Sequence, residues 1–149
     1  MSLPSSQREK FLQDTVMSAS PARLVTMLYD RMVLDLDRAA KSIEAGAMGE
    51  TSSHLTHAQD IVTELMNTLD VNKWEGGKSL QAIYLHLFSA LMAANASKDI
   101  EDVKECREMA DDLRMTWHEA ATALASQEQT ATPVPAAPRS GGLGDLGVA

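Results

Sequence analysis

The chain has 149 residues, a formal net charge of −8 and 44% hydrophobic residues, among which aromatic residues are scarce. An acidic chain of this kind is a poor candidate for binding nucleic acid or an anionic membrane, and its hydrophobic content excludes a wholly disordered chain. The single cysteine, Cys106, excludes an intramolecular disulfide and fits a reducing compartment. Because no apolar run approaches the length of a membrane span and the N-terminus lacks the apolar stretch of a signal peptide, we expect a cytoplasmic protein without membrane insertion.

The N-terminal segment, residues 1–19, is predicted to be an arm ahead of the first long helix. Within this arm, residues 7–17 could form a short helix whose apolar contacts include Phe11 and Val16. Ser20 and Pro21 then mark a helix start, because serine is a favoured N-cap and proline suits the first helical position.

Four long helices are predicted between residues 20 and 128. The first ends at the Gly46/Gly49 pair, the second runs from residues 51–53 to about Val71, and the third stops near residues 95–98. The fourth opens with Asp99 as N-cap. In each helix apolar residues recur every three or four positions, which is typical of one buried stripe. In the first helix these are Leu24, Leu28, Met32, Leu36, Ala39 and Ile43.

Short connections between four helices favour an all-α fold, specifically an antiparallel up-down four-helix bundle. The bundle is predicted over residues 20–128. Residues 129–149 are rich in proline and glycine and show no helical or strand period, so we expect a disordered C-terminal tail.

The predicted helices carry more apolar residues than one stripe needs. The additional apolar residues of the first helix are Val25, Met27, Tyr29 and Val33, and those of the second are Ile61 and Met66. The additional apolar residues of the third helix are Ile83, Leu85, Phe88 and Met92. A wide core seam accounts for more than half of this surplus, since a bundle helix uses about three positions in seven. The remainder indicates an exposed apolar groove for a partner helix, which the nine methionines suit.

No residue pattern indicates catalysis or a cofactor. A di-iron bundle needs Glu-x-x-His pairs, and no glutamate in the chain is followed by histidine three residues later. His54 and His57 share a helix face but have no acidic or cysteine partner in that pattern, so we interpret them as solvated. Cys106 lies on the core stripe and is interpreted as a small buried apolar residue. We therefore expect no enzyme, no metal and no cofactor.

Four stretches carry a resemblance to a known family. SASPARLVTMLYD at residues 18–30 resembles the signature of the FliS family, the flagellar export chaperones for flagellin. HAQDIVTELMNTLD, SLQAIYLHLFSALMAANASKDIEDV and DLRMTWHEA resemble later family segments in the same order and spacing. The resemblance covers about residues 11–121. The chain departs from the family pattern at Arg31, where glycine is usual, and at Phe11, where tyrosine is common. It also departs at residues 54–57 and 84–86.

The resemblance implies a cytoplasmic chaperone. Family members bind the C-terminal helical region of new flagellin, prevent its early polymerisation and present it to the flagellar export apparatus. This client segment is amphipathic and disordered before assembly, so it needs an apolar groove against which to fold.

The residues expected to bind the partner lie in the family signature, in the second helix and in the arm. They are Phe11, Val16, Ser20, Pro21, Leu24, Val25, Leu28, Tyr29, Met32, Ile61, Leu65 and Leu69. For Leu24 and Leu28, the sequence favours a core position and a groove position equally. The substitution Leu65→Asp separates the two roles, since it would weaken binding from a groove position and unfold the protein from a core position.

Two functions of other classes stay open on the sequence alone. One is a helical adaptor bundle for a different export or regulatory partner. The other is a phosphotransfer module that uses His54 or His57, although the surrounding residues lack the nearby lysine and the glycine that would let a phosphoryl donor approach.

Overall fold

The computed structural model describes the backbone of residues 21–131 and the side chains of residues 22–127. Within these residues the chain forms four helices: α1 (Pro21–Glu44), α2 (Met48–Thr68), α3 (Gly77–Ser97) and α4 (Ile100–Ala131). The all-α prediction is confirmed within these residues. The predicted arm and most of the predicted tail lie outside them.

The turn between α1 and α2 depends on one glycine. Gly46 has φ = +74°, in the left-handed region, and its N–H donates to the carbonyl of Ile43. The N–H of Ala47 donates to the carbonyl of Ser42. Gly46 therefore ends α1 as predicted. The same role for Gly49 is wrong, because α2 already begins at Met48.

The other two connections use local side-chain hydrogen bonds. After α2, Asp70 Oδ1 accepts from the N–H of Asn72 at 3.0 Å, which turns the chain toward α3. After α3, Lys98 adopts a left-handed conformation with φ = 54°. Asp99 Oδ1 then accepts from the N–H of Glu101 at 2.9 Å, which confirms the predicted N-cap of α4.

Polar pairs show that α1 is antiparallel to both α2 and α4. Ser42 hydrogen-bonds to Thr51 at 2.6 Å, and Asp35 hydrogen-bonds to His57. The residue numbers of the partners fall along α1 as they rise along α2, so the two helices are antiparallel. Arg107 donates to Asp37 at 2.7 Å and Arg114 lies 3.8 Å from Asp30, which repeats this relation with α4. The hydrogen bond to Asp37 is also the main cause of the raised pKa of Arg107.

Helix α3 packs beside α2 and meets α1 across the core. The buried hydroxyls of Tyr29 and Tyr84 hydrogen-bond to each other, which joins the two helices that are not neighbours. Large side chains from all four helices fill the core around this pair. Those with essentially no exposure include Met32, Leu36, Leu55, Val62, Leu87, Leu91, Val103 and Cys106. The predicted up-down four-helix bundle is thus confirmed.

Contacts divide the chain into two compact units between Met115 and Thr116. The first contains α1, α2, α3 and the start of α4. The second contains the remainder of α4, where Trp117 and His118 are half-buried. Within the described residues, no helix combines the length and the apolar content needed to cross a membrane.

The two glycines of the first turn provide a matched test of this backbone. Gly46→Ala should lower the free energy of unfolding by about 1 kcal/mol, because alanine is strained at positive φ. Gly49→Ala should raise it by about 0.5 kcal/mol, because alanine is the better helix former. Neither added methyl meets another atom within 4 Å, so packing does not contribute. Urea unfolding of both variants measures the difference, and an equal effect at the two sites would contradict the assigned turn.

Candidate protein-binding surface

Helix α3 is apolar on more than its core face. Leu80, Tyr84, Leu87, Leu91 and Ala94 are buried against the other helices. Four further apolar side chains remain at least partly open to solvent. Ile83 is 44% exposed, Leu85 is 55% exposed, Met92 is 53% exposed and Phe88 is half-buried. A surface helix normally turns polar residues outward, so this excess is unusual.

Three of these residues form one continuous strip, here named the α3 strip. Leu85, Phe88 and Met92 are spaced by three and four positions, which aligns their side chains along one side of the helix. Ile83 lies on the opposite side of the buried face. The α3 strip is therefore a linear apolar surface of about two helical turns.

The α3 strip ends at a recess between α2 and α3. The recess has a volume of about 410 Å³ and is lined by Ser52, Gln59, Met92, Asn95, Ala96 and Lys98. The side-chain oxygen of Asn95 is buried and has no hydrogen-bond partner among the described residues. The recess thus places polar side chains of α2 and α3 beside an apolar strip, while the unpaired oxygen of Asn95 itself is closed to solvent.

Four of the sequence-predicted residues lie on a second, partly open apolar surface. Leu24, Val25 and Leu28 of α1 are half-buried, and so is Leu69, just after α2. The pairing of Asp35 with His57 sets the register of the two helices, which brings Leu28 level with Leu65 and Leu24 level with Leu69. The structure therefore brings Leu24, Leu28 and Leu69 together at the end of the bundle where α1 begins.

Four other predicted residues belong to the core. Tyr29 and Met32 have no exposure, Leu65 is 2% exposed and Ile61 is 5% exposed. Met32 lies in the predicted buried stripe, and Tyr29 and Ile61 belong to the part of the surplus that widens the core, because the neighbouring helices enclose them. Burial also raises the pKa of Tyr84, the partner of Tyr29, despite the opposing effect of their hydrogen bond. Contact between any of these residues and a partner stays a prediction.

The remaining predicted residues are at or before the first described position. Pro21 is the first residue of α1, in agreement with its predicted place in the helix. Phe11, Val16 and Ser20 lie outside the described residues.

His57 is exposed, as predicted, but it has an acidic partner that the local pattern did not indicate. Its Nδ1 hydrogen-bonds to the carboxylate of Asp35, which is completely buried and also accepts from Arg31 Nε at 3.0 Å. A buried carboxylate requires such partners, since an unpaired one would be strongly destabilising. No local residue pattern could indicate this pair, because the two residues are 22 positions apart on different helices.

Cys106 is buried, as its place on the core stripe predicts. Burial raises the pKa of its thiol to about 11, and the nearby carboxylates of Asp102 and Glu105 act in the same direction. A thiol of this kind stays protonated near neutral pH and is a poor nucleophile. Among the described residues, no group of three or more His, Cys, Asp or Glu side chains is arranged to hold a metal ion.

Comparison with known proteins gives one consistent family. Residues 4–124 match the family model described as Flagellar protein FliS. A relative from Bacillus subtilis, named flagellar secretion chaperone FliS, is 32% identical over 110 residues, covering 74% of this chain and 82% of the relative. Relatives with the same name from Salmonella typhimurium and Escherichia coli are 28% and 30% identical. They cover 78% and 72% of this chain and 88% and 81% of their own lengths.

Two leucines distinguish the core from the α3 strip. Leu65→Ala should lower the free energy of unfolding by about 3 kcal/mol, because it leaves a cavity in the core. Leu85→Ala should change it by less than about 0.5 kcal/mol, because Leu85 is largely exposed. Chemical denaturation with circular dichroism measures both. A large loss of stability for Leu85→Ala would mean that the α3 strip belongs to the core.

Proposed function

The chain belongs to the FliS family of flagellar secretion chaperones, and we propose that its client is the C-terminal helical region of flagellin. In this proposal it acts in the cytoplasm, where it covers that region before assembly and so prevents premature polymerisation. It then delivers flagellin to the flagellar export apparatus. No catalytic step is required for this function, because binding alone blocks the client surface.

The α3 strip is the observation that supports client binding most strongly. Leu85 and Met92 are each more than half exposed on a helix whose opposite side fills the core. Helix α3 has 21 residues and is therefore about 30 Å long, which suits a bound helix of similar length. An amphipathic client segment can bury its apolar face against such a strip while it folds.

The recess next to the α3 strip adds a polar contact to this binding mode. Gln59 on α2, which lines the recess, offers the client both a donor and an acceptor. A directional hydrogen bond at this point favours one position of the client along the groove. Apolar contacts alone would allow the segment to slide by a turn.

The half-buried surface at the start of α1 is the second proposed contact. Leu24, Val25 and Leu28 lie in the signature by which the family is recognised, and Leu69 lies beside them. We propose that the N-terminal arm, through Phe11 and Val16, covers this surface when no client is bound. Displacement of the arm would then lower the net affinity, which suits a client that must be released at export.

Titration calorimetry with the C-terminal segment of flagellin from the same organism tests client binding. The wild-type chain should give a 1:1 isotherm with a negative heat-capacity change, because apolar surface is buried. The double variant Leu85→Asp and Met92→Asp should weaken binding by at least about tenfold, because it places two charges in the apolar contact. Circular dichroism should show that the variant keeps its helices.

The matched control is Leu34→Asp, which changes an exposed leucine on α1 that is 41% exposed. It should bind the flagellin segment as the wild type does. Flat heats for the folded wild type would contradict the proposal and favour an adaptor for a different partner. If Leu34→Asp weakened flagellin binding as much as the double variant does, the result would contradict the assignment of the α3 strip to the binding site.

Hydrogen exchange tests the proposed role of the arm. Without client, amides of residues 7–17 should be partly protected, and addition of the flagellin segment should make them exchange faster, because the client displaces the arm. In the same experiment the amides of α3 should become slower to exchange. Equal protection of the arm with and without client would refute displacement.

A further inference from the structure

The pairing of Asp35 with His57 leaves one nitrogen of the histidine open to reaction. The carboxylate of Asp35 is completely buried and binds Nδ1 of His57, whose side chain is still 47% exposed. A carboxylate accepts hydrogen bonds, so Nδ1 carries the proton and the neutral ring keeps its lone pair on Nε2. Because Nδ1 points at the buried carboxylate, Nε2 lies on the opposite edge of the ring, toward solvent. His57 is therefore an oriented nucleophile on the surface of α2.

Two arginines of α1 lie on either side of this histidine. Arg31, Asp35 and Arg38 are spaced by four and three positions, so they share one side of α1. That side faces α2, because Asp35 binds His57 there. At a rise of 1.5 Å per residue, Arg31 lies about 6 Å from the level of His57 in one direction and Arg38 about 4.5 Å in the other. Positive charge therefore flanks the imidazole along the junction of α1 and α2.

Both guanidinium groups have hydrogen-bond donors available. Arg31 donates from Nε to Asp35 at 3.0 Å and its side chain is 48% exposed, so its terminal nitrogens remain accessible. Arg38 is exposed and forms no ion pair within the described part of the chain. Arginine is well suited to bind the oxygens of a phosphoryl group. The sequence next to His57 has no lysine for this purpose, and the fold supplies two arginines from another helix instead.

The residues around Asp35 include two departures from the family pattern. Glycine is usual at the position of Arg31, and residues 54–57 also differ from the pattern. The two departures lie on different helices, yet the fold brings Arg31 and His57 to the same carboxylate. Because glycine has no side chain with which to bind Asp35, this arrangement depends on residues particular to this chain.

We propose that His57 is a phosphorylation site that takes its phosphoryl group from a small acyl phosphate. Nε2 attacks the phosphorus atom and forms an N–P bond, while the P–O bond to the acyl group breaks and the carboxylate leaves with the bonding electrons. The ring then carries a positive charge, which Asp35 stabilises through the proton that stays on Nδ1. Arg31 and Arg38 stabilise the charge on the phosphoryl oxygens. The proposal does not depend on the identity of the client.

The outer surface of α2 acts on this reaction in two opposite ways. His57 shares a shallow depression with Ser53, Thr56 and Asp60. The two hydroxyls are further donors for phosphoryl oxygens. The carboxylate of Asp60 instead repels an incoming phosphate anion. Removal of this carboxylate should therefore speed the reaction, whereas removal of an arginine should slow it.

Incubation of the full chain with acetyl phosphate tests the site. Mass spectrometry at neutral pH, where phosphohistidine survives, measures the rate of labelling at each histidine. His57 should be labelled at least about tenfold faster than His86, an exposed histidine of α3 that serves as the internal control. Phosphorus NMR should show the Nε2 isomer, because Asp35 holds the proton on Nδ1. Equal labelling of the two histidines, or an Nδ1 product, would overturn the proposal.

Two variants separate the positioning role of Asp35 from the charge of the arginines. Asp35→Asn keeps the shape of the side chain but removes its charge, so labelling of His57 should fall at least about tenfold while circular dichroism shows that the helices remain. Arg38→Gln changes an exposed residue and should slow labelling about threefold without affecting the fold. Lys78→Gln makes the same change in charge on α3 and should label as the wild type does. An unchanged rate in Arg38→Gln would contradict the proposed site.

Asp60→Asn provides a test of opposite sign. The substitution removes the repelling carboxylate from the exposed surface of α2, so the rate of labelling at His57 should rise about threefold. The rate at His86 should stay the same, because that residue lies on another helix. A slower reaction at His57 in this variant would mean that Asp60 assists the transfer, contrary to the proposed electrostatics.

Discussion

The hydrogen bond between Tyr29 and Tyr84 is the constraint on which the bundle depends most. Both side chains are buried, and a buried phenol must have a polar partner. Because the two residues lie on α1 and α3, which are not neighbours, their pairing sets the level and the rotation of α3 within the bundle. The rotation that turns Tyr84 inward leaves Leu85 and Met92 outside, so one polar contact in the core also creates the apolar strip on the surface.

The residue pattern could predict the four helices because helix formation depends on near neighbours. Steps of three and four located the middle of the α1 stripe, where Met32, Leu36 and Ala39 are buried, but Leu24, Leu28 and Ile43 of the same stripe are only half-buried. Asp99 marked the start of α4 through a local hydrogen bond. The start of α2 was harder to predict from the sequence, because glycine occurs both in turns and in helices. Gly46 and Gly49 look alike in the sequence, and only the backbone conformation separates them: Gly46 has a positive φ, whereas Gly49 lies within α2.

The division between core and binding surface could not be predicted in the same way. Met32 and Leu65 are buried while Leu85 is exposed, yet all three are apolar residues at helical spacing. Which of them is enclosed depends on how far the neighbouring helices wrap around each one. The buried carboxylate of Asp35 is a further example, since its partner His57 lies on another helix and no local pattern links them.

The α3 strip would hold a partner by apolar burial, which salt weakens little. A bundle with four neighbouring helices has room for such a surface, because each helix buries only part of its circumference. In the proposed binding mode, client binding would therefore respond only weakly to ionic strength.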